Sequence, residues 1–209
     1  MTFISSFKPT DEAMPRQVSA FQSWNEVASQ IVYFNSPCVA LTSPKTTFVE
    51  SEVFPSIWKI AALAGWAPEY EWVCILNADI VITANLLNVV EKLNARKVTA
   101  ASSWRYQFDP AKGISSAEKP TDMGLDFFMA LPEVWRGMAG KIPKDLTIGA
   151  PLWDTWMLSY FATFCCEHYA DITPAKVVLH PIHSARNYGP TPKTPELYSW
   201  PVQSPLKIS

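Results

Sequence analysis

The chain has 209 residues, a formal net charge of −2 and 48% hydrophobic residues, which is enough apolar material for the core of one domain. No run of Lys or Arg exceeds two residues, which argues against a protein that grips nucleic acid mainly through phosphates. The four cysteines, at 38, 74, 165 and 166, contain no CxxC pair, so buried free thiols in a reducing compartment are expected rather than a disulfide framework.

No basic segment followed by an apolar run opens the chain, so no signal peptide is expected. The longest apolar stretches are far shorter than a membrane span. These features lead to the expectation of a cytoplasmic protein without membrane insertion, in the host cytoplasm if the source is a virus.

Thr2 to Phe7 reads as a first strand, ended by Pro9. Pro15 then opens a helix whose Val18, Phe21 and Trp24 share a face. Gln30 to Phe34 is a second strand, closed by Asn35-Ser36-Pro37, and a short strand is expected at Thr46 to Val49. Phe54 to Ala64 reads as a helix, with Pro55 in its first turn and Gly65 as its stop. Trp72 to Leu76 is a buried strand that runs into Asn77-Ala78-Asp79, and a further apolar run, Ile80-Val81-Ile82, follows. A helix over Ala84 to Leu93 and a strand over Val98 to Ser102 complete an alternation that predicts an α/β sheet covered on both faces.

Trp104 to Met123 is mostly polar and has no clear period, so it reads as a mobile active-site loop. Asp126 to Leu131 is strand-like, Trp153 to Phe164 is an aromatic helix, and Val177 to His180 is a short strand. The Pro-rich last twenty residues read as a surface or mobile tail.

Asp79 stands out because it ends an apolar strand, and ligands in open α/β sheets lie outside the carboxyl ends of strands. A carboxylate there suits a divalent cation that clamps a diphosphate; a helix-capping Asp is the alternative reading of the residue alone. Asp154 stands at the start of the aromatic helix, where the helix dipole favours a negative charge. His180 and His183 are two of only three histidines and stand three apart at a strand end, a spacing that suits a metal or phosphate contact.

The segment ILNADIVI resembles the short acidic motif of GT-A fold glycosyltransferases. GLDFFMALPEVW, IGAPLWDTWMLSY and the closing His180-Pro181-Ile182-His183 are similar to the acceptor half of small bacterial, viral and plant-type members. The resemblance covers roughly residues 2 to 188. It implies a mixed, mainly parallel GT-A (Rossmann-like) sheet flanked by helices, as a single domain over residues 1–189 with a tail over 190–209. It also implies a glycosyltransferase that moves a sugar from a nucleoside diphosphate sugar to an acceptor hydroxyl, inverting and dependent on Mn²⁺ or Mg²⁺.

By the same resemblance, Asp154 is the catalytic base. Ser5, Phe7, Asn35, Asn77 and Asp79 meet the donor nucleotide, with Arg16 and Gln17 nearby. Asp126, Trp153 and Trp156 meet the sugar or acceptor, the two Trp as a wall. Asp79 and His183 hold the metal, and His180 and Arg186 the diphosphate. The acceptor is left open among a glycan, a small molecule and a modified DNA base. Asn77 stands where many such enzymes have a first acid, so it can offer a metal a neutral oxygen but no charge. Two alternatives stand beside this reading. A nucleotidyltransferase would normally carry a Gly-rich loop where this chain has Lys8-Pro9-Thr10-Asp11-Glu12. A non-catalytic nucleotide- or sugar-binding module would tolerate the missing acid.

Overall fold

The computed structural model describes residues 1–51, 55–118, 120, 124–149, 152–183 and 206–208. The N-terminal half follows the expected alternation: β1 (Thr2–Ser5), α1 (Met14–Val27), β2 (Gln30–Tyr33), β3 (Thr46–Phe48), α2 (Ile57–Ala64), β4 (Val73–Leu76), β5 (Val81–Ile82) and α3 (Leu86–Ala95). The C-terminal half comprises β6 (Ala100–Ser103), β7 (Tyr106–Phe108), β8 (Phe127–Ala130), α4 (Pro132–Ala139), α5 (Trp153–Tyr160), β9 (Tyr169–Asp171), β10 (Val178–Pro181) and β11 (Leu206–Lys207).

Among the described residues, eight strands form one sheet in the order β11-β9-β6-β8-β4-β1-β2-β3, and β5-β10-β7 form a second. Every pairing in the large sheet is parallel except those of β8, which runs antiparallel to both β4 and β6. This is a single mixed α/β domain with a mostly parallel central sheet, as the sequence predicts.

Alternation along the buried strands feeds two cores. Phe3, Tyr33, Cys74, Leu76, Phe127 and Met129 face one layer with Trp24 of α1 and Leu86, Val89 and Leu93 of α3. Ile4, Val32, Val73, Ile75, Phe128 and Ala130 face the other, with Ile60 of α2, Trp135 of α4 and Trp156 of α5. A sheet buried on both sides forces near-continuous apolar strands, which is why VCIL and FFMA carry no polar residue.

The segment 104–123 reads in sequence as a mobile active-site loop without a period, but its described part carries regular elements. Its described part contains β7, paired with β10, and a 3-10 turn, Ile114–Ser116. Ser116 pins that turn: its hydroxyl accepts from the Asp109 N–H (2.9 Å) and donates to the Gly113 carbonyl (2.7 Å). Three residues with Tyr106 and Phe108 turned inward are too short to produce a visible period in a polar context. Two further elements were not foreseen. Helix α4 starts at Pro132 and buries Trp135 and Met138, and β9 extends the sheet beside β6. In the segment read as a tail, Leu206–Lys207 pair with β9 and Ile208 is buried.

Candidate active site

Residues far apart in sequence converge at the carboxyl end of β4. The chain turns there through Asn77-Ala78-Asp79, closed by the Ile80 N–H on the Asn77 carbonyl (3.2 Å). Helix α1 braces the turn: the Trp24 indole donates to the Ile80 carbonyl (2.7 Å), and Ser23 Oγ accepts from the Ile82 N–H (3.0 Å). The small sheet then folds β10 back antiparallel on β5, with Leu179 opposite Val81. Because β5 leads away from Asp79, β10 runs toward it, and its end delivers His180 and His183.

Nε2 of His183 lies 3.2 Å and Nε2 of His180 3.5 Å from the same Asp79 oxygen, Oδ2. The two imidazole rings lie 5.0 Å apart. Burial pushes the Asp79 carboxyl up, but hydrogen bonds and charge from both histidines outweigh it and hold the carboxyl well below the usual carboxylate range. The Nδ1 atoms of both rings are buried and find no hydrogen-bond partner among the described residues. One ligand atom from each of Asp79, His180 and His183 lies within 4.8 Å of the others, a donor set that fits a divalent cation. His183 was expected in this role and His180 at the diphosphate; the fold brings both to the same carboxylate oxygen.

A second carboxylate stands at the start of β8. Since β8 is antiparallel to β4, with Phe127 opposite Leu76, its first residues reach the end of β4 where the ligands gather. Asn77 Nδ2 donates to Asp126 Oδ1 (2.7 Å), and the Asn77 N–H to the Asp126 carbonyl (3.2 Å). The Arg105 guanidinium donates to Asp126 Oδ2. Burial pushes the Asp126 carboxyl up to about 6, opposed by Arg105 and His180 and reinforced by Asp79 and Asp154. Asn77 is thus engaged with Asp126 through its amide N–H, in the place where a first acid would stand.

Asp154 occupies the first turn of α5, entered through Leu152 in a left-handed conformation (φ 79°). Its Oδ1 accepts from the Thr155 N–H (2.9 Å) and its Oδ2 from the Leu125 N–H (3.4 Å), next to Asp126.

Several expected contacts are corrected by burial. Trp153 and Trp156 are 2% and 1% exposed and cannot wall a sugar. Trp153 packs edge-on to Phe128 and Trp156 stacks on Tyr160, because helix α5 must cover the sheet with the same residues that flank Asp154. Ser5, Phe7 and Asn35 stand at the right end of β1 and β2 but point inward. Ser5 Oγ donates to the Leu76 carbonyl (2.6 Å), Phe7 lies in the core, and the Asn35 amide clamps the Phe7 N–H (2.7 Å) and carbonyl (3.1 Å). Their side chains shape the loop after β1. Arg186 lies outside the described residues.

The sequence reading missed Arg105 and Lys8. Lys8 follows the clamped Phe7, and its own N–H and carbonyl are held by the Gln17 amide (2.7 and 2.8 Å). Burial lowers the Lys8 ammonium from its ordinary value; Asp79 opposes this and Arg16 adds to it, so all three charges share one locality. An open groove lined by Pro9, Met14, Pro15, Val18 and Cys38 adjoins this loop. A lysine directly after a strand at the ligand end of an α/β sheet was the available signal.

No family model matches the chain, and no curated protein sequence does. Solved structures do. A mannosyltransferase from Pyrobaculum calidifontis, in complex with GDP-Man and Mn²⁺, is similar at 17% identity and a TM-score of 0.56, over 86% of this chain. The chain spans 56% of the length of that protein. A protein assigned as a glucose-1-phosphate thymidylyltransferase from Bacillus anthracis, in complex with a sucrose, is similar at 12% identity and a TM-score of 0.50, over 82% of this chain and 86% of its own. At these identities the likeness is one of fold, a Rossmann-like GT-A fold.

Proposed function

We propose that the chain is a glycosyltransferase that takes a sugar from a nucleoside diphosphate sugar, with a divalent cation held by Asp79, His180 and His183. The observation that carries this is the convergence of both imidazoles on one Asp79 oxygen at the carboxyl end of β4, beside Asp126 and Asp154. A bound cation supplies charge for the diphosphate as it leaves. Lys8, beside Asp79, adds a positive charge to the same locality, and Arg16 a second. The groove at Pro9, Met14, Pro15, Val18 and Cys38 offers apolar walls for the base.

Asp154 takes the proton from the acceptor hydroxyl as it attacks the anomeric carbon from the face opposite the diphosphate, which inverts the configuration. The Leu125 and Thr155 N–H groups hold this carboxylate in place. Asp126 accepts from hydroxyls of the donor sugar.

Calorimetry with UDP, GDP, ADP and CDP, with and without Mn²⁺, tests the reading. At least one should bind, more tightly with the ion, and at a hundredfold excess over its Kd stabilise the fold by about 2.7 kcal/mol. Binding of none of the four sinks it. Nucleotidyl transfer remains a second reading, favoured by the thymidylyltransferase likeness. Release of pyrophosphate from a nucleoside triphosphate plus a sugar phosphate would select it.

A further inference from the structure

Arg105 belongs to none of the motifs read from the sequence, yet its surroundings are closely constrained. It immediately precedes β7, its side chain is 19% exposed, and its guanidinium pairs with Asp126 Oδ2. Beneath it lies Gly124, at φ +96°, where L side chains are strained. A Cβ on Gly124 would fall 2.6 Å from Arg105 Cζ and 2.8 Å from Nε and Nη2. The backbone conformation therefore favours glycine at this position, and the missing side chain leaves the space in which the guanidinium lies against the main chain. From the other side Asn77 Nδ2 holds Asp126 Oδ1 at 2.7 Å. Both oxygens of a carboxylate that is only 5% exposed are thus fixed by donors from different elements.

A buried ion pair is weak evidence for stability, because desolvation of the two charges consumes most of their attraction. Here the pair has a different consequence. Each carboxylate oxygen has two lone pairs, and one donor on each leaves acceptor capacity at both. Burial already pushes this carboxyl up to about 6 with Arg105 beside it, and Asp79 and Asp154 push the same way, against Arg105 and His180. Without the guanidinium the carboxyl would be pushed further up, toward the protonated form, which donates where a hydroxyl needs an acceptor.

We infer that Arg105, packed on Gly124, is a positioning residue that fixes Asp126 as an oriented hydroxyl acceptor for the sugar of the donor. The inference rests on the glycosyltransferase reading above, and it separates the sugar contact from the nucleotide contacts. The probes are two matched pairs, UDP with UDP-glucose and GDP with GDP-mannose, titrated with Mn²⁺ present. The quantity read is the affinity of each nucleotide sugar relative to its nucleoside diphosphate.

Arg105→Met, Gly124→Ala and Asp126→Asn should each lower that ratio by about tenfold, the worth of one hydrogen bond to a charged group. Arg105→Met with Asp126→Asn should lose no more than either alone, since the two act as one unit. Arg105→Lys should recover part of the loss. Affinity for the nucleoside diphosphate should change less than about threefold throughout, well under the tenfold expected for the sugar. Carbon-13 NMR of the Asp carboxyls in the ligand-free protein gives a second reading, in which Arg105→Met should raise the titration midpoint of Asp126. An unchanged ratio in Arg105→Met, an additive double variant, or an unmoved Asp126 midpoint overturns the inference. If no nucleotide binds the unmodified protein, the glycosyltransferase reading fails and takes the sugar role with it. The carboxyl titration then still decides whether Arg105 sets the state of Asp126.

Discussion

The site holds two carboxylates, Asp79 half-buried and Asp126 buried, that the fold treats in opposite ways. Asp79 faces two imidazoles on one oxygen, whereas Asp126 is tied to a guanidinium on one oxygen and an amide on the other. An imidazole can present a lone pair to a cation, so the donor set at Asp79 suits the cation proposed for it. A guanidinium has no lone pair to give and keeps its charge. The Asp126 side is therefore neutralised from within the chain, and the Asp79 side is open to neutralisation from outside. Position in an acidic cleft does not by itself make a carboxylate a metal ligand; the partners on its oxygens decide.

Asp154, which has neither imidazole nor guanidinium among its described partners, gives the largest expected effect. Asp154→Asn should lower turnover by roughly 10² to 10⁴ while donor binding is retained, as for loss of a general base. NMR of the product should show inverted configuration. Near-normal turnover would leave the residue as a helix-terminal acid.

The contrast between the other two acids is sharpest in metal binding. Asp79→Ala should weaken Mn²⁺ binding by more than about 100-fold, since loss of outer-shell partners alone costs 10 to 100. Asp126→Ala should change it far less. Titration of Mn²⁺ followed by electron paramagnetic resonance reads both, and equal losses would erase the distinction drawn above.

Next come the imidazoles. His180→Ala and His183→Ala should each raise the Mn²⁺ concentration needed by about tenfold or more. His168, exposed with its Nδ1 on the Lys97 carbonyl, serves as the control and should be silent. With two imidazoles and one carboxylate, Mg²⁺ should compete poorly with Mn²⁺ in the same titration.

The smallest effect is on stability. Burial pushes the folded Asp126 carboxyl up to about 6, so between roughly pH 4 and 6 the folded state should hold a proton that the unfolded state has lost. Stability of the metal-free protein should then fall as pH rises through that window. Asp79 is held low, so its contribution is present above the ordinary carboxylate range and is lost as pH falls through and below it. Urea unfolding of the unmodified protein and of Asp126→Asn across this range separates the two, because the variant should lose only the decline from pH 4 to 6.

By itself the sequence determined the layered α/β fold and the three acids. Local pattern suffices where a strand is buried on both faces, as at VCIL, and where a carboxylate ends such a strand, as Asp79 does. Local pattern also placed Asp154 at a helix start, but the flanking Trp153 and Trp156, expected at the sugar, turn into the core, because sequence position along a helix does not say which way its face turns. The tertiary structure alone decided which partner each acid received. His180 and Asp79 are 101 positions apart and meet only because β10 returns antiparallel on β5. Asp126 meets Asn77 only because β8 runs against the direction of its neighbours. Arg105 meets Asp126 across the space left open at Gly124, which has a positive φ and no side chain. Such pairings depend on strand direction and close approach across the sheet, which no window of neighbouring residues encodes.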